Sequence, residues 1–144
     1  MISHFRNYSE FIFRVMLSLI FIVAGANHVI VTSAIKKRLL NTDTGNWLAS
    51  YLPVELLISL AGVGLCIGGL ALLVGFRTKW AALGLLGIII PITLVIQTQG
   101  LHTIGPLFKN VGLTGGLIYF WANGSTQLAL DTNTHLSQTT SPQT

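Results

Sequence analysis

Long apolar runs separated by short polar breaks set the pattern of this chain. Residues from Glu10 to Val31 are apolar apart from Glu10, Arg14, Asn27 and His28. Leu56 to Phe76 carries no charged residue over 21 positions, close to the roughly 20 that a helix needs to cross a ~30 Å hydrocarbon core. Gly75 closes that run, and Arg77, Thr78 and Lys79 lead into Trp80. The glycine suits a helix end, the basic pair suits headgroups, and the indole suits the interface. A third run extends from Trp80 to about Gln97, with Pro91 in its second half freeing the Gly87 carbonyl and bending the helix. A fourth, shorter and richer in small residues, begins near Leu107. The pattern predicts an all-α membrane protein, a four-transmembrane-helix bundle with spans at about 10–31, 55–76, 80–97 and 107–122.

The breaks have their own patterns. In the first loop, Thr32 to Pro53, the residues Ala34, Ile35, Leu39 and Leu40 surround Lys36-Lys37-Arg38. That arrangement predicts a short interfacial helix with its cations among headgroups. Asn41 to Asn46 reads as a turn-rich break, after which Trp47, Leu48, Tyr51 and Leu52 return to the interface. Pro53 and Glu55 suit the first turn of the second span, because proline needs no N–H there and a carboxylate favours the positive helix end. Gln99 to Pro106 forms a second loop. Beyond a transmembrane domain at 1–129, the Ser/Thr/Gln-rich residues 130–144 are expected to be a disordered tail. Ala24-Gly25-Ala26 resembles a signal-peptide cleavage site, but Arg14 interrupts the region and hydrophobicity continues through Val31. The segment is therefore taken as the first helix.

Composition sharpens the class. Charged residues make up 8% of the 144 and mean hydropathy is +0.71, whereas soluble domains carry about 25% charge. The net charge of +4 comes from residues flanking the apolar runs, so it points to the lipid bilayer as a partner and away from nucleic acid. Cys66 is the single cysteine; it excludes an intramolecular disulfide and a dithiol centre, and reads as a small hydrophobe. Orientation does not follow from charge. Arg6, Arg14, Arg77 and Lys79 on the terminal side balance Lys36, Lys37, Arg38 and Lys109 on the other.

Threading the spans up and down gathers Asn27, His28, Glu55, Gln97, Gln99, His102, Lys109 and Asn110 at one end, and Arg14, Arg77 and Lys79 at the other. Helical spacing places Arg14, Ser18, Phe21, Gly25 and His28 on one stripe, and Glu55, Ser59, Gly62, Cys66, Gly69 and Leu73 on another. Both stripes should face the bundle interior. Gly64/Gly68 and Gly112/Gly116 are small-xxx-small pairs that permit close helix packing. Ionisable residues on interior stripes are functional candidates, each with a plainer reading beside it. Glu55 and His28 are candidates for proton transfer. Glu55 could instead cap its helix and pair with Lys109, and His28 could bond a neighbouring helix. Arg14, His102, Lys109 and Asn110 are candidates for a polar, cofactor-binding layer. Arg14 could instead snorkel, His102 be solvated, and Lys109-Asn110 start the fourth helix at the interface. A metal site of His28, Glu55 and His102 has no sequential motif behind it, so neither metal nor haem is expected.

Three stretches resemble the DoxX/DoxD-like family of small four-helix membrane proteins. They are Arg14 through Gly25 to His28; Glu55 through Gly68-Gly69 and Leu72 to Gly75-Phe76-Arg77-Thr78-Lys79-Trp80-Ala81-Ala82; and Lys109-Asn110-Val111-Gly112-Leu113-Thr114-Gly115-Gly116-Leu117. The likeness covers roughly residues 10 to 122. It implies a multi-pass protein of a bacterial-type inner membrane with both termini cytoplasmic. Some members are subunits of quinone-linked oxidoreductases, including thiosulfate:quinone oxidoreductase, and others are associated with oxidative-stress or sulfur chemistry through partner proteins. The resemblance therefore implies a quinone as cofactor and another membrane subunit as partner. The alternative is a non-enzymatic accessory or anchoring subunit of a larger complex. The first loop, with Lys36-Lys37-Arg38 and Trp47, is not assigned to any of these motifs, so partner or substrate specificity held there stays open.

Overall fold

A computed structural model describes residues 2–96, 104–125 and 129. All its regular elements are helices: α1 (Ile2–Ile30), α2 (Thr32–Leu40), α3 (Asp43–Ala49), α4 (Val54–Val74), α5 (Thr78–Ile96) and α6 (Ile104–Asn123). Three segments, Tyr8–Ile30, Val54–Val74 and Thr78–Val95, are long and apolar enough to cross a membrane. α6 has 20 residues, but Lys109, Asn110 and its glycines dilute its apolar character, and it is not among those three. α1 packs along α4, α4 along α5, and α5 along α6. Phe13 closes the ring of helices by stacking on Phe120, their centroids 5.4 Å apart.

The interior is built from Leu17, Phe21, Leu65, Leu72, Leu85, Leu117 and Phe120. The outer faces are apolar as well: Met16, Leu19 and Val23 on α1 and Leu60, Val63 and Ile67 on α4 are exposed. Exposed hydrocarbon on this scale suits lipid rather than water. The predicted stripes hold through their central turns. Arg14, Ser18, Phe21 and Gly25 are buried on α1, and Gly62 and Gly69 on α4. Gly64 and Gly68 face α5, against Ile88 and Leu85. The second small-residue pair divides, since Gly116 meets Phe13 and Leu17 while nothing lies against Gly112.

The turn between α4 and α5 follows the expected chemistry. Gly75 adopts φ 69°, Phe76 N–H reaches the Ala71 carbonyl at 2.9 Å and Gly75 N–H reaches Leu72 at 3.2 Å. These are the two bonds of a Schellman helix end. Arg77 then takes φ 44°, and its carbonyl accepts from Trp80 N–H at 2.8 Å and Ala81 N–H at 3.0 Å to start α5. α5 runs through Pro91 without a break.

The first loop corrects one expectation. Asn41 to Asn46 is not only a break, because α3 begins at Asp43. Thr42 is its cap, its hydroxyl oxygen accepting from Gly45 N–H at 2.9 Å. Pro53 precedes α4 in extended backbone rather than opening its first turn. α2 and α3 fold back over the end of the bundle, where Leu39 packs with Val54 and Ile58 and against Val95. α6 begins at Ile104, earlier than expected, with Pro106 in its first turn, where no N–H is needed. Gln97, Gln99, His102 and the expected tail at 130–144 lie outside the described residues.

Candidate functional site

The folded-back first loop roofs a cavity. Ile35 and Leu39 of α2 and Leu48 of α3 form its ceiling, Leu57, Ile58 and Ala61 of α4 one wall, and Gly87, Ile88, Pro91, Ile92 and Val95 of α5 another. Its volume is about 250 Å³, and His28 of α1 supplies the one side chain with a polar atom among the residues lining it. The walls follow from helical spacing. Gly87, Pro91 and Val95 recur every four residues and so share a face of α5.

His28 also lines a second, smaller cavity of about 100 Å³, together with Phe21, Ala24, Leu65, Lys109 and Asn110. His28 thus contributes both to the apolar cavity and to the one that Lys109 and Asn110 line. The smaller volume has room for roughly three waters, and Lys109 and Asn110 are fitting partners for them. The ring is held by its own helix. His28 Nδ1 lies 2.8 Å from the Ala24 carbonyl oxygen, and since a carbonyl only accepts, Nδ1 carries the proton. Asn110 is buried, and its amide donates to the Thr93 hydroxyl at 2.8 Å. Thr93 donates in turn to the Ile89 carbonyl at 2.7 Å. That relay fixes α6 to α5 beside Pro91.

Of the sequence-derived candidates, His28, Lys109 and Asn110 converge. Glu55 does not join them, since it lines neither cavity. Its carboxylate pairs with Lys36 of α2 rather than with Lys109, so it ties the roof to the start of α4. Arg14 stands about 21 Å from His28 along α1, fourteen residues at 1.5 Å each. It does not snorkel: it is 1% exposed, donates to the Ser125 hydroxyl, and lies with Cζ 5.6 Å from the centre of the Phe11 ring. The guanidinium also sits beside Gly75, at the negative end of the α4 dipole. His102 lies outside the described residues. Sequence reasoning missed the apolar chamber itself. Only the Gly87/Pro91 spacing on α5 hinted at an unfilled face.

No curated protein and no solved structure matches this chain. The family model for DoxX matches residues 10–98, which takes in α1 from Glu10 onward, α2 to α5 and the whole roof. That stretch is more than half of the sequence, and the chain belongs to the DoxX family.

Proposed function

We propose that this protein is the membrane subunit of a quinone-linked oxidoreductase system, with the quinone ring held in the apolar chamber under α2 and α3. The observation that carries the reading is a hydrocarbon-walled cavity of about 250 Å³ with a single imidazole in its wall. Such a chamber fits one planar ring; binding sites for apolar ligands are mostly hydrocarbon with a few polar groups that fix orientation. An isoprenoid tail would run along the apolar outer faces. When bound, a quinone supplies two-electron, two-proton redox chemistry. The chain's own residues orient and shield: His28 positions the ring and holds a proton at Nδ1, the Lys36–Glu55 pair pins the roof, and Lys109 and Asn110 line the polar side. In this reading α6 is a fourth span, both termini are cytoplasmic in a bacterial-type inner membrane, and a partner subunit delivers electrons from sulfur or oxidative-stress chemistry.

The test is a native mass spectrum of the protein released from its own membrane in mild detergent. A quinone-sized mass should be retained, and should be lost in Ala61→Phe, whose ring fills the chamber. A bare chain, or retention unaffected by Ala61→Phe, would overturn the reading. A second reading, a non-enzymatic accessory or anchor subunit, draws on Gly112 and Gly115 of α6, where an added Cβ would meet none of the described residues within 4 Å. Glycines open to the outside let a helix of another protein approach closely. A stoichiometric protein partner without a small molecule would favour it.

A further inference from the structure

We propose that the chamber under α2 and α3 opens sideways into the bilayer and takes the ring of a lipid-borne amphiphile. The single apolar chain of that ligand lies along the outer seam between α4 and α5. The inference rests on the proposed ring site and adds the route into it and the place of the tail. The opening of the chamber carries it. Gly87 and Pro91 line the wall and are themselves exposed on the outer surface of α5. Gly87 falls at the middle of the Thr78–Val95 span, so the surface that it shares with the chamber faces hydrocarbon near mid-bilayer depth. The end of the chamber toward the headgroups is covered instead by Ile35, Leu39 and Leu48, with Leu39 buried. The open side therefore admits molecules dissolved in lipid.

From that opening the seam continues toward the turn between α4 and α5. Gly84 is exposed one turn before Gly87, and among the described residues nothing stands within 4 Å of the Cβ that either glycine would carry. Beside them α4 presents Gly64 and Gly68, against Ile88 and Leu85 of α5. Four glycines thus border the seam and leave a shallow furrow where side chains would otherwise stand. From Gly87 to Trp80 it runs about 10 Å, seven residues at 1.5 Å each. A slender chain anchored by its ring in the chamber fits that course. Lipid tails are as apolar as the furrow, so the position of the tail, rather than overall affinity, is the property that tests the route.

The experiment uses the unaltered protein in lipid nanodiscs with a decyl-tailed benzoquinone that bears a diazirine at the far end of its tail. After illumination, adducts are mapped by peptide mass spectrometry, and those lost on adding excess plain decyl benzoquinone are the specific ones. Specific adducts are expected between Gly64 and Leu70 of α4 and between Trp80 and Ile88 of α5. Specific adducts confined to α1, α6 or the roof would overturn the route and leave the ring site standing. Absence of any specific adduct would overturn the ring site, and the inference with it. Gly84→Leu puts a side chain into open space on an exposed face, and leucine favours helix, so the fold should hold. It should lower labelling of the seam at least about threefold, while binding of a benzoquinone with a methyl group in place of the tail changes by less than about twofold. Seam labelling undiminished in folded G84L would overturn the furrow as the place of the tail.

Discussion

Gly25 of α1 and Gly62 of α4 meet backbone to backbone. A methyl group built on Gly25 would lie 2.6 Å from the Gly62 carbonyl oxygen and 2.7 Å from Cys66 Sγ. No rotamer change relieves a contact with a main-chain oxygen, so the helices would have to separate. Gly25→Ala is expected to cost about 1–3 kcal/mol, read as a lower midpoint of unfolding in mixed micelles. Gly84→Ala is the control, since nothing lies within 4 Å of its added methyl. Its midpoint should hold or rise, because alanine is the better helix former.

Asn110 carries the polar contact between α5 and α6. Asn110→Leu removes the donor to the Thr93 hydroxyl, and interhelical bonds of this kind are worth about 0.6 kcal/mol and up to about 1.7 in membranes. Thr93→Val should cost a similar amount. The double variant should cost less than the sum, because both changes break one bond. Additive losses in that cycle would show that the two residues act separately.

The Lys36–Glu55 pair holds α2 to the start of α4 across exposed surface. Lys36→Glu sets like charges together, so amide exchange in Thr32–Leu40 should speed up while exchange in α4 and α5 stays unchanged. The swap Lys36→Glu with Glu55→Lys should restore the slow rate. Added salt should quicken exchange in the unaltered protein and narrow its difference from the variant, since exposed pairs are screened.

Gly75 ends α4 in the left-handed region at φ 69°. A side chain there pays about 1–2 kcal/mol for conformation alone. It also meets neighbours, because the new Cβ would lie 2.8 Å from Arg14 Nη1 and 2.4 Å from the Ala129 Cβ. Gly75→Ala should therefore lower the thermal midpoint by more than Gly84→Ala changes it. Gly75→Asn should be milder than other non-glycine choices, as asparagine tolerates the left-handed region best.

What could be read from the sequence was the part fixed by local geometry. The stripe from Arg14 to Gly25 and the ridge from Gly62 to Gly69 follow from helical spacing, and these are the surfaces that meet. The end of α4 was legible because Gly75 and the basic turn are adjacent in the chain. α3 was not, because Thr42, Asp43 and Thr44 look like turn residues until the Thr42 hydroxyl is seen capping a helix. Nor was the partner of Glu55 legible: Lys36 lies nineteen residues away, and only the fold-back of α2 brings it there. The chamber depends on that same fold-back, with walls from five helices whose residues, His28 apart, are unremarkable one by one. His28 was singled out as polar on an interior stripe, but its share in two cavities is a tertiary fact.

The partnership of α1 with α4 also bears on how the chain is made. α1 leaves the ribosome with the whole of α2 and α3 still to come before its partner. At about 5–20 residues per second, it waits several seconds in the bilayer with Arg14, Ser18 and His28 unshielded. The helix that then relieves it holds no charge from Leu56 to Phe76 and can partition into lipid without help. Biogenesis thus hands a span with a buried arginine to the most apolar of the three spans, and the close approach of Gly25 to Gly62 forms only once both helices are in the bilayer.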